Sequence, residues 1–410
     1  MVLVDTAIVG RLGTVELAAL AAGSMVLVTV VGLCIFLAYG TTATAARHLG
    51  AGNRSRAIEV GLSGVWLAVG LGTVLALVVG LASAHLVAGL SSSDHVADLA
   101  STYLRGAAAS IPATLIVFAA TGALRGLRDL TSPLMAMVGA TALNAPLTWW
   151  LVHGLDLGMI GAASGLVIAQ WVAALWLVAR LLGHRDASVS WQPRPHEILL
   201  AARSAVPLFI RTVTLRASLL AATFVAAHMG DTSLAAHQVV TAVVTFLAFA
   251  LDALAIAAQT LIGNSLGAGN REQTRAITGT TMRGSAIVGL TLGILVALSS
   301  PLVARAFTTS SEVVNAVIPA LIVAAAIQPI SGIVFALDGI LIGAGDARYL
   351  AVAGLVTLVI YLPAALAVGA VGASFVWLWV AYGWFQIARL ATLWWRERHD
   401  DWLVIGANIP

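Results

Sequence analysis

Five stretches in the first half of the chain, 17–46, 60–93, 106–124, 130–155 and 157–179, contain no Asp, Glu, Lys or Arg. The second half repeats the pattern: 284–304, 313–337 and 349–388 are uncharged, 232–263 carries only Asp252, and 198–228 is apolar apart from Arg203, Arg211 and Arg216. An apolar run of about 20 residues matches the hydrocarbon thickness of a bilayer. In lipid each backbone N–H and C=O has to be paired within its own segment, so such runs fold as helices. The 349–388 stretch is too long for one helix, and its Gly369–Gly372 region supplies a hairpin. With the opening MVLVDTAIVGRLG, which reads as the tail of a helix, the chain is predicted to hold twelve spans, the first one short. The predicted fold class is an all-α polytopic membrane protein.

Composition agrees and excludes the alternatives. Only 10% of the 410 residues are charged, against about a quarter in soluble domains, and the mean hydropathy is +0.98. A soluble enzyme, a nucleic-acid binder and a disordered scaffold are excluded. The 21 basic residues are all Arg, a bias expected of GC-rich bacterial coding. The single cysteine, Cys34, allows neither an intramolecular disulfide nor a cysteine metal cage.

Orientation follows from the loops. If the polar 183–197 stretch is cytoplasmic, its side of the membrane holds Arg47, Arg54, Arg56, Arg125, Arg128, Arg180, Arg185, Arg194, Arg203, Arg271, Arg275, Arg283, Arg348, Arg389, Arg396 and Arg398. The other side holds Arg11, Arg105 and Arg305. Sixteen against three is a strong positive-inside bias, and both termini are expected to be cytoplasmic in a bacterial inner membrane.

The chain also resembles itself. LGAGNR at 49–54 returns at 266–271, an offset of 217, and the same offset pairs Pro112 with Pro329, Gly122 with Gly339, Gly126 with Gly343, Asp129 with Asp346 and Pro146 with Pro363. One register held over so long a stretch marks a duplicated six-helix unit. Six is even, so the two units are expected as parallel repeats around a central cleft, the layout of alternating-access transporters. The expected division is 1–182 for the N-terminal lobe, 183–197 for a cytoplasmic linker, 198–398 for the C-terminal lobe and 399–410 for a cytoplasmic tail. The second lobe's first helix starts near Glu197, and 197 − 217 = −20, so the first helix is expected to be incomplete by about 20 residues.

LVDTAIVGRLG, the paired LGAGNR loops, LAAHQVV (234–240), LDALAIAAQ (251–259) and FALDGILIGAGD (335–346) together resemble the multidrug and toxic compound extrusion (MATE) family, most nearly its DinF-like branch. The resemblance implies a twelve-helix antiporter that expels small amphiphilic or cationic organic substrates in exchange for H⁺ or Na⁺. It implies no cofactor and no enzymatic activity, and the chain is expected to work as a monomer in the lipid bilayer. It also places the family's coupling carboxylate of the first helix on Asp5.

Asp5 stands out from the residues alone. It lies eight positions before the Gly13 turn, roughly 12 Å of helix from the membrane edge. A carboxylate at that depth is costly unless paired, protonated or facing water, and such residues mark ion pathways. It can carry a proton or serve as one ligand of Na⁺; the alternative is a structural carboxylate that caps a neighbouring helix. Asn144, beside Pro146 in TALNAPLTWW, is within reach as a site residue or as a polar link between helices, with Thr141 one turn earlier. Thr148, one turn later, stands where some relatives have an Asp, which favours H⁺ over a multi-carboxylate Na⁺ site.

In the second half Asp252 is expected to pair with Arg211 or Arg216, the alternative being a substrate contact in the cleft, with Gln259 on its face seven residues on. Asp338 is expected near the cytoplasmic end of its helix, paired with a cytoplasmic Arg, the alternative being a role at the midplane. His237 and Gln238 open the eighth span, His237 as a packing residue or a sensor of outside pH. The LGAGNR loops lack the Lys-Ser/Thr of a phosphate loop and read as tight turns closing helices. A flippase for lipid-linked sugars would need several cations in its cleft, where only Arg211 and Arg216 are available. An intramembrane enzyme and a pore are the readings from other classes.

Overall fold

The computed structural model describes residues 1–90, 93–185 and 189–407, and among them there is helix and no strand. The expected positions 186–188 of the linker and 408–410 of the tail lie outside the described residues. Two compact units emerge, Met1–Ala205 and Val206–Pro410.

The first unit holds α1 (Val2–Val9), α2 (Thr14–Leu33), α3 (Phe36–Gly50), α4 (Arg54–Ala88), α5 (Asp94–Ala107), α6 (Ser110–Gly126), α7 (Thr131–Trp149) and α8 (Gly158–Gly183), with a π turn at Trp150–Gly154. The long α9 (Pro195–His228) carries the chain into the second unit. There follow α10 (Asp231–Gly267), α11 (Arg271–Phe307), α12 (Ser311–Ala344), α13 (Ala347–Ala370) and α14 (Val376–Arg398).

Nine of these segments are long and apolar enough to cross a membrane, α2 and α3 counting as one, and α5 with α6 makes a tenth, bent by 47°. Ten of the twelve predicted spans therefore meet that requirement. The other two are α1, with 8 residues, and α14, whose final turns carry Arg389, Arg396, Glu397 and Arg398. The bent span begins well before the predicted 106–124, because α5 is amphipathic and its Asp, His and Arg residues hide it from a search for uncharged runs.

The repeat extends from letters to geometry. Helix starts at Thr14, Arg54 and Asp94 recur 217 positions later at Asp231, Arg271 and Ser311. Both LGAGNR loops fold as one device: Gly52 and Gly269 take left-handed φ of 78° and 73°. The amides of Asn53 and Asn270 then reach back to His48 O and Ser265 O at 2.9 and 3.1 Å, closing the preceding helix as a Schellman turn. The Asn53 and Asn270 side chains next accept from the amides of Arg56 and Gln273, capping the helix that follows. The loops thus start helices as well as ending them.

Helix contacts in lipid rely on small residues that let backbones approach. A Cβ at Gly72 of α4 would sit 2.5 Å from Cα of Pro112 on α6, and one at Gly289 of α11 would sit 3.1 Å from Cα of Pro329 on α12. Gly122 against Ala38 and Gly339 against Ala255 are a second equivalent pair. Identical crossings in both units explain why these glycines and prolines keep one register.

A polar knot closes one end of the first unit. Asp129, in the turn between α6 and α7, accepts from Ser132 N at 3.0 Å and Ser132 Oγ at 2.6 Å. His184, just past α8, is 3.4 Å from the same carboxylate, and its other ring nitrogen is 3.0 Å from Arg54. Burial pushes the Asp129 pKa up, but the hydrogen bonds from Ser132, His184 and Thr131 outweigh it and hold the group at about 2.

Candidate functional site

Asp5 lies on α1 and is 1% exposed, with Asn144 and Thr148 of α7 both at 0%. Asn144 and Thr148 are four residues apart, hence on one face of their helix. The Asn144 amide donates to Thr148 Oγ1 at 3.0 Å, and the Thr148 hydroxyl donates to Asp5 Oδ1 at 3.4 Å. Asn144 also lies alongside the same carboxylate. The Thr148 contact is at the weak limit of a hydrogen bond, so Asp5 is touched rather than gripped. Its Oδ2 and the Oδ1 of Asn144 are buried without a hydrogen-bond partner among the described residues. Each of these orphaned oxygens costs about 1–3 kcal/mol when left unmet, and a buried carboxylate oxygen of this kind suits a proton or a small hard cation.

Supporting groups fix this arrangement. Gly165 of α8 faces Thr148 so closely that a Cβ there would come 3.0 Å from the threonine Cα and overlap its hydroxyl. A ring nitrogen of His153, in the π turn that follows α7, lies 3.3 Å from the Ile8 carbonyl and ties the end of α1 to that turn. Tyr103 of α5, 1% exposed, is near enough to feel the Asp5 charge. None of these three stands out in the sequence, where a tyrosine in a charged segment and a glycine in GAASG carry no distinguishing pattern. Thr141 does not join the cluster: its hydroxyl donates to Met137 O on its own helix, on an exposed part of the surface. Among the described residues no group of three or more His, Cys, Asp or Glu side chains is placed to hold a metal ion, in keeping with a lone carboxylate flanked by neutral oxygens.

The second unit has its own buried polar centre. Arg211 of α9 meets Asp338 of α12 with two nitrogens, Nε to Oδ1 at 3.1 Å and Nη2 to Oδ2 at 2.5 Å, and Arg389 of α14 adds Nη2 to Oδ2 at 2.5 Å. Gln386 accepts from Arg389 at 3.1 Å and donates to Ser331 Oγ at 2.9 Å. The sequence points to Arg211 or Arg216 as the partner of Asp252; Arg211 forms an ion pair with Asp338, and Asp252 is half-buried on α10. Asp338 does pair with an Arg, but Arg389 is a buried helix residue and not a loop residue, as is Arg47 of α3. An arginine stem is long enough to turn inward from the edge of an apolar run, which a count of loop charges cannot register.

Arg216 is exposed, Gln259 is buried where α12 approaches α10 at Gly343, and Gln238 is exposed, next along α10 from the buried His237. The His237 Nε2 lies 3.2 Å from Thr223 Oγ1 and 3.3 Å from Thr241 Oγ1, and its ring packs against Trp379 with centroids 5.7 Å apart.

Comparison with known proteins decides the family. The family model described as MatE matches residues 1–150 and 207–383, most of the chain and both units. The chain belongs to the MATE family. Its similar MATE relatives include Protein DETOXIFICATION 44, chloroplastic, of Arabidopsis thaliana, 31% identical over 98% of this chain and 80% of that protein. The DNA damage-inducible protein F of Escherichia coli is 28% identical over 83% of this chain and 76% of that protein. In fold the chain matches a MOP superfamily transporter from Pyrococcus furiosus, with a TM-score of 0.85 at 21% identity over 97% of this chain and 90% of the other. A eukaryotic MATE transporter matches with a TM-score of 0.85 at 17% identity, over 98% of this chain and 91% of the other. This MATE chain is a multi-pass membrane transporter, not an enzyme, and its all-α architecture is that of the family.

Proposed function

We propose that the chain is a secondary-active efflux antiporter that exchanges small amphiphilic or cationic organic substrates for H⁺ or Na⁺, with Asp5 as the coupling carboxylate. The observation that carries this reading is the buried Asp5 with one oxygen lightly held by Thr148 and the other unmet beside Asn144. In alternating access the cation arriving from outside occupies Asp5, substrate leaves, and the loaded carboxylate returns the transporter to its inward state. The single carboxylate, with Thr148 where a second acid would strengthen a Na⁺ site, favours H⁺. The electrical gradient contributes about 2.3 kcal/mol per charge per 100 mV.

The bidentate hold of Asp338 on Arg211 supports this reading over a lipid-linked sugar flippase, which would need that guanidinium for diphosphate. Transport is proposed to take place in a bacterial cell membrane with both termini cytoplasmic, by a monomer. The test is ethidium transport in proteoliposomes bearing the purified chain, with an H⁺ or a Na⁺ gradient imposed separately. Accumulation driven by one gradient and collapsed by its ionophore is the expected result. Ethidium flux that follows only its own gradient, whatever the ion gradient, overturns the antiport reading.

A further inference from the structure

The apolar part of α9 runs from Arg203 to His228 and is interrupted by Arg211 and Arg216. Five positions apart, these two arginines point about 140° away from each other on a helix. Arg211 is turned inward onto Asp338. Arg216 is exposed and makes no hydrogen bond or ion pair among the described residues. It stands 13 positions after Arg203 and 12 before His228, so about 18–20 Å of helix separate it from either end. Half of a hydrocarbon core is about 15 Å, and with those two polar ends at the membrane surfaces Arg216 falls at the midplane. Its propyl stem and guanidinium cover less than half of that depth, too little to snorkel to a headgroup.

A guanidinium at that depth faces water or a bound anion and not acyl chains, and an ionisable residue so placed marks a pathway by default. The surface around it is apolar. Phe209 and Val213, seven and three positions before Arg216, and Leu220, four after it, share its side of the helix and are all exposed. With Arg211 engaged by Asp338, Arg216 is the single charge between Phe209 and Phe224 that stands open to a ligand. One cation in a greasy stripe is complementary to a molecule with an apolar body and one acidic group.

We propose that Arg216 binds the acidic group of amphiphilic organic monoanions, the carboxylates and sulfonates of aryl or alkyl compounds. The guanidinium donates a pair of N–H bonds to the acid's two oxygens, while Phe209, Val213 and Leu220 lie along the apolar body. The proposal deepens the antiport reading by adding an anionic class to the cationic substrates. It rests on that reading only for the expectation that organic molecules enter the membrane interior.

The test is binding of tritiated naphthylacetate to the purified full chain in nanodiscs of zwitterionic lipid, compared with naphthylacetamide, which keeps the body and lacks the charge. Arg216→Gln is expected to weaken the acid about 10- to 100-fold, the effect of losing hydrogen bonds to a charged group, and to leave the amide within about twofold. Arg216→Lys, which keeps the charge, is expected to lose less than Arg216→Gln. Acid binding unchanged in Arg216→Gln overturns the proposal, as does an equal loss in the two variants or a wild-type chain that does not bind the acid. Should the variants fold poorly, phenylglyoxal, which modifies water-accessible arginines, is applied to the wild type and the Arg216 peptide is followed by mass spectrometry. Modification that naphthylacetate suppresses and the amide does not supports the site. No modification there, or modification that the acid leaves unchanged, overturns it. No ion gradient is present in these measurements, so they judge Arg216 alone, and the coupling role of Asp5 is judged by gradient-driven transport.

Discussion

Arg211 and Asp338 meet through two nitrogens and two oxygens in the interior of the second unit, and Arg389 closes on the same carboxylate from a third helix. Removing one partner from a buried ionic cluster leaves uncompensated charge, at a cost of about 3–5 kcal/mol. Asp338→Ala is therefore expected to be strongly destabilising, lowering the apparent melting temperature in detergent. Replacing all three members together by apolar residues of similar volume is expected to recover most of the loss. Thermal denaturation followed by size-exclusion chromatography measures both.

Gly165→Ala tests the support of the candidate site. The added Cβ would press on Thr148 and shift the hydroxyl that touches Asp5. Ion-driven transport is expected to fall at least about tenfold, the range expected when a misplacement of about 1 Å disturbs a preorganised site. Membrane insertion and monodispersity should be unaltered. Wild-type transport by Gly165→Ala would remove Thr148 from the site.

Arg128 occupies a left-handed conformation, φ 66°, where its repeat partner 217 positions on is Gly345 at φ 79°. The same turn closes both helices, since Asp129 N reaches Leu124 O at 2.9 Å and Asp346 N reaches Leu341 O at 3.0 Å. A non-glycine residue there costs about 1–2 kcal/mol. Arg128→Gly is expected to raise the apparent melting temperature by a few degrees, and a fall would show that the Arg128 side chain contributes more than its backbone costs.

Asp129 gives a pH signature. Its pKa lies near 2 in the fold against an ordinary 3.8, so its contribution is fully present above about pH 4 and is lost as pH falls towards 2. Asp129→Asn is expected to be less stable than the wild type at neutral pH, and the gap should close between pH 4 and 2. Melting temperatures of both chains across that window measure it. A gap that stays constant with pH contradicts the assignment.

Much of this architecture is legible in the sequence because it depends on local composition. Uncharged runs declare spans, and the 217-residue register declares the duplication down to the Gly72–Pro112 and Gly289–Pro329 crossings. Asp5 and Asn144 are visible for the same reason, as polar residues inside apolar runs, and Thr148 through the family resemblance. What stays hidden depends on which helix lies beside which. The pairing of Arg211 with Asp338 spans helices far apart in the chain, and Arg389 reads as a loop residue because charge marks the end of a run. His237 and Gln238 are neighbours in sequence but point about 100° apart on a helix, so one is buried beside Trp379 and the other exposed. Helix α5 escapes notice because its buried face is interrupted by charges on the other.

The central claim is that Asp5 couples ion entry to substrate exit, and Asp5→Asn in proteoliposomes tests it most directly. Two fluxes are measured: ethidium accumulation driven by an imposed ion gradient, and ethidium exchange with the gradient collapsed. Asn keeps the shape and removes the charge, so accumulation is expected to vanish while exchange persists. Gradient-driven accumulation at the wild-type level by Asp5→Asn would contradict the account.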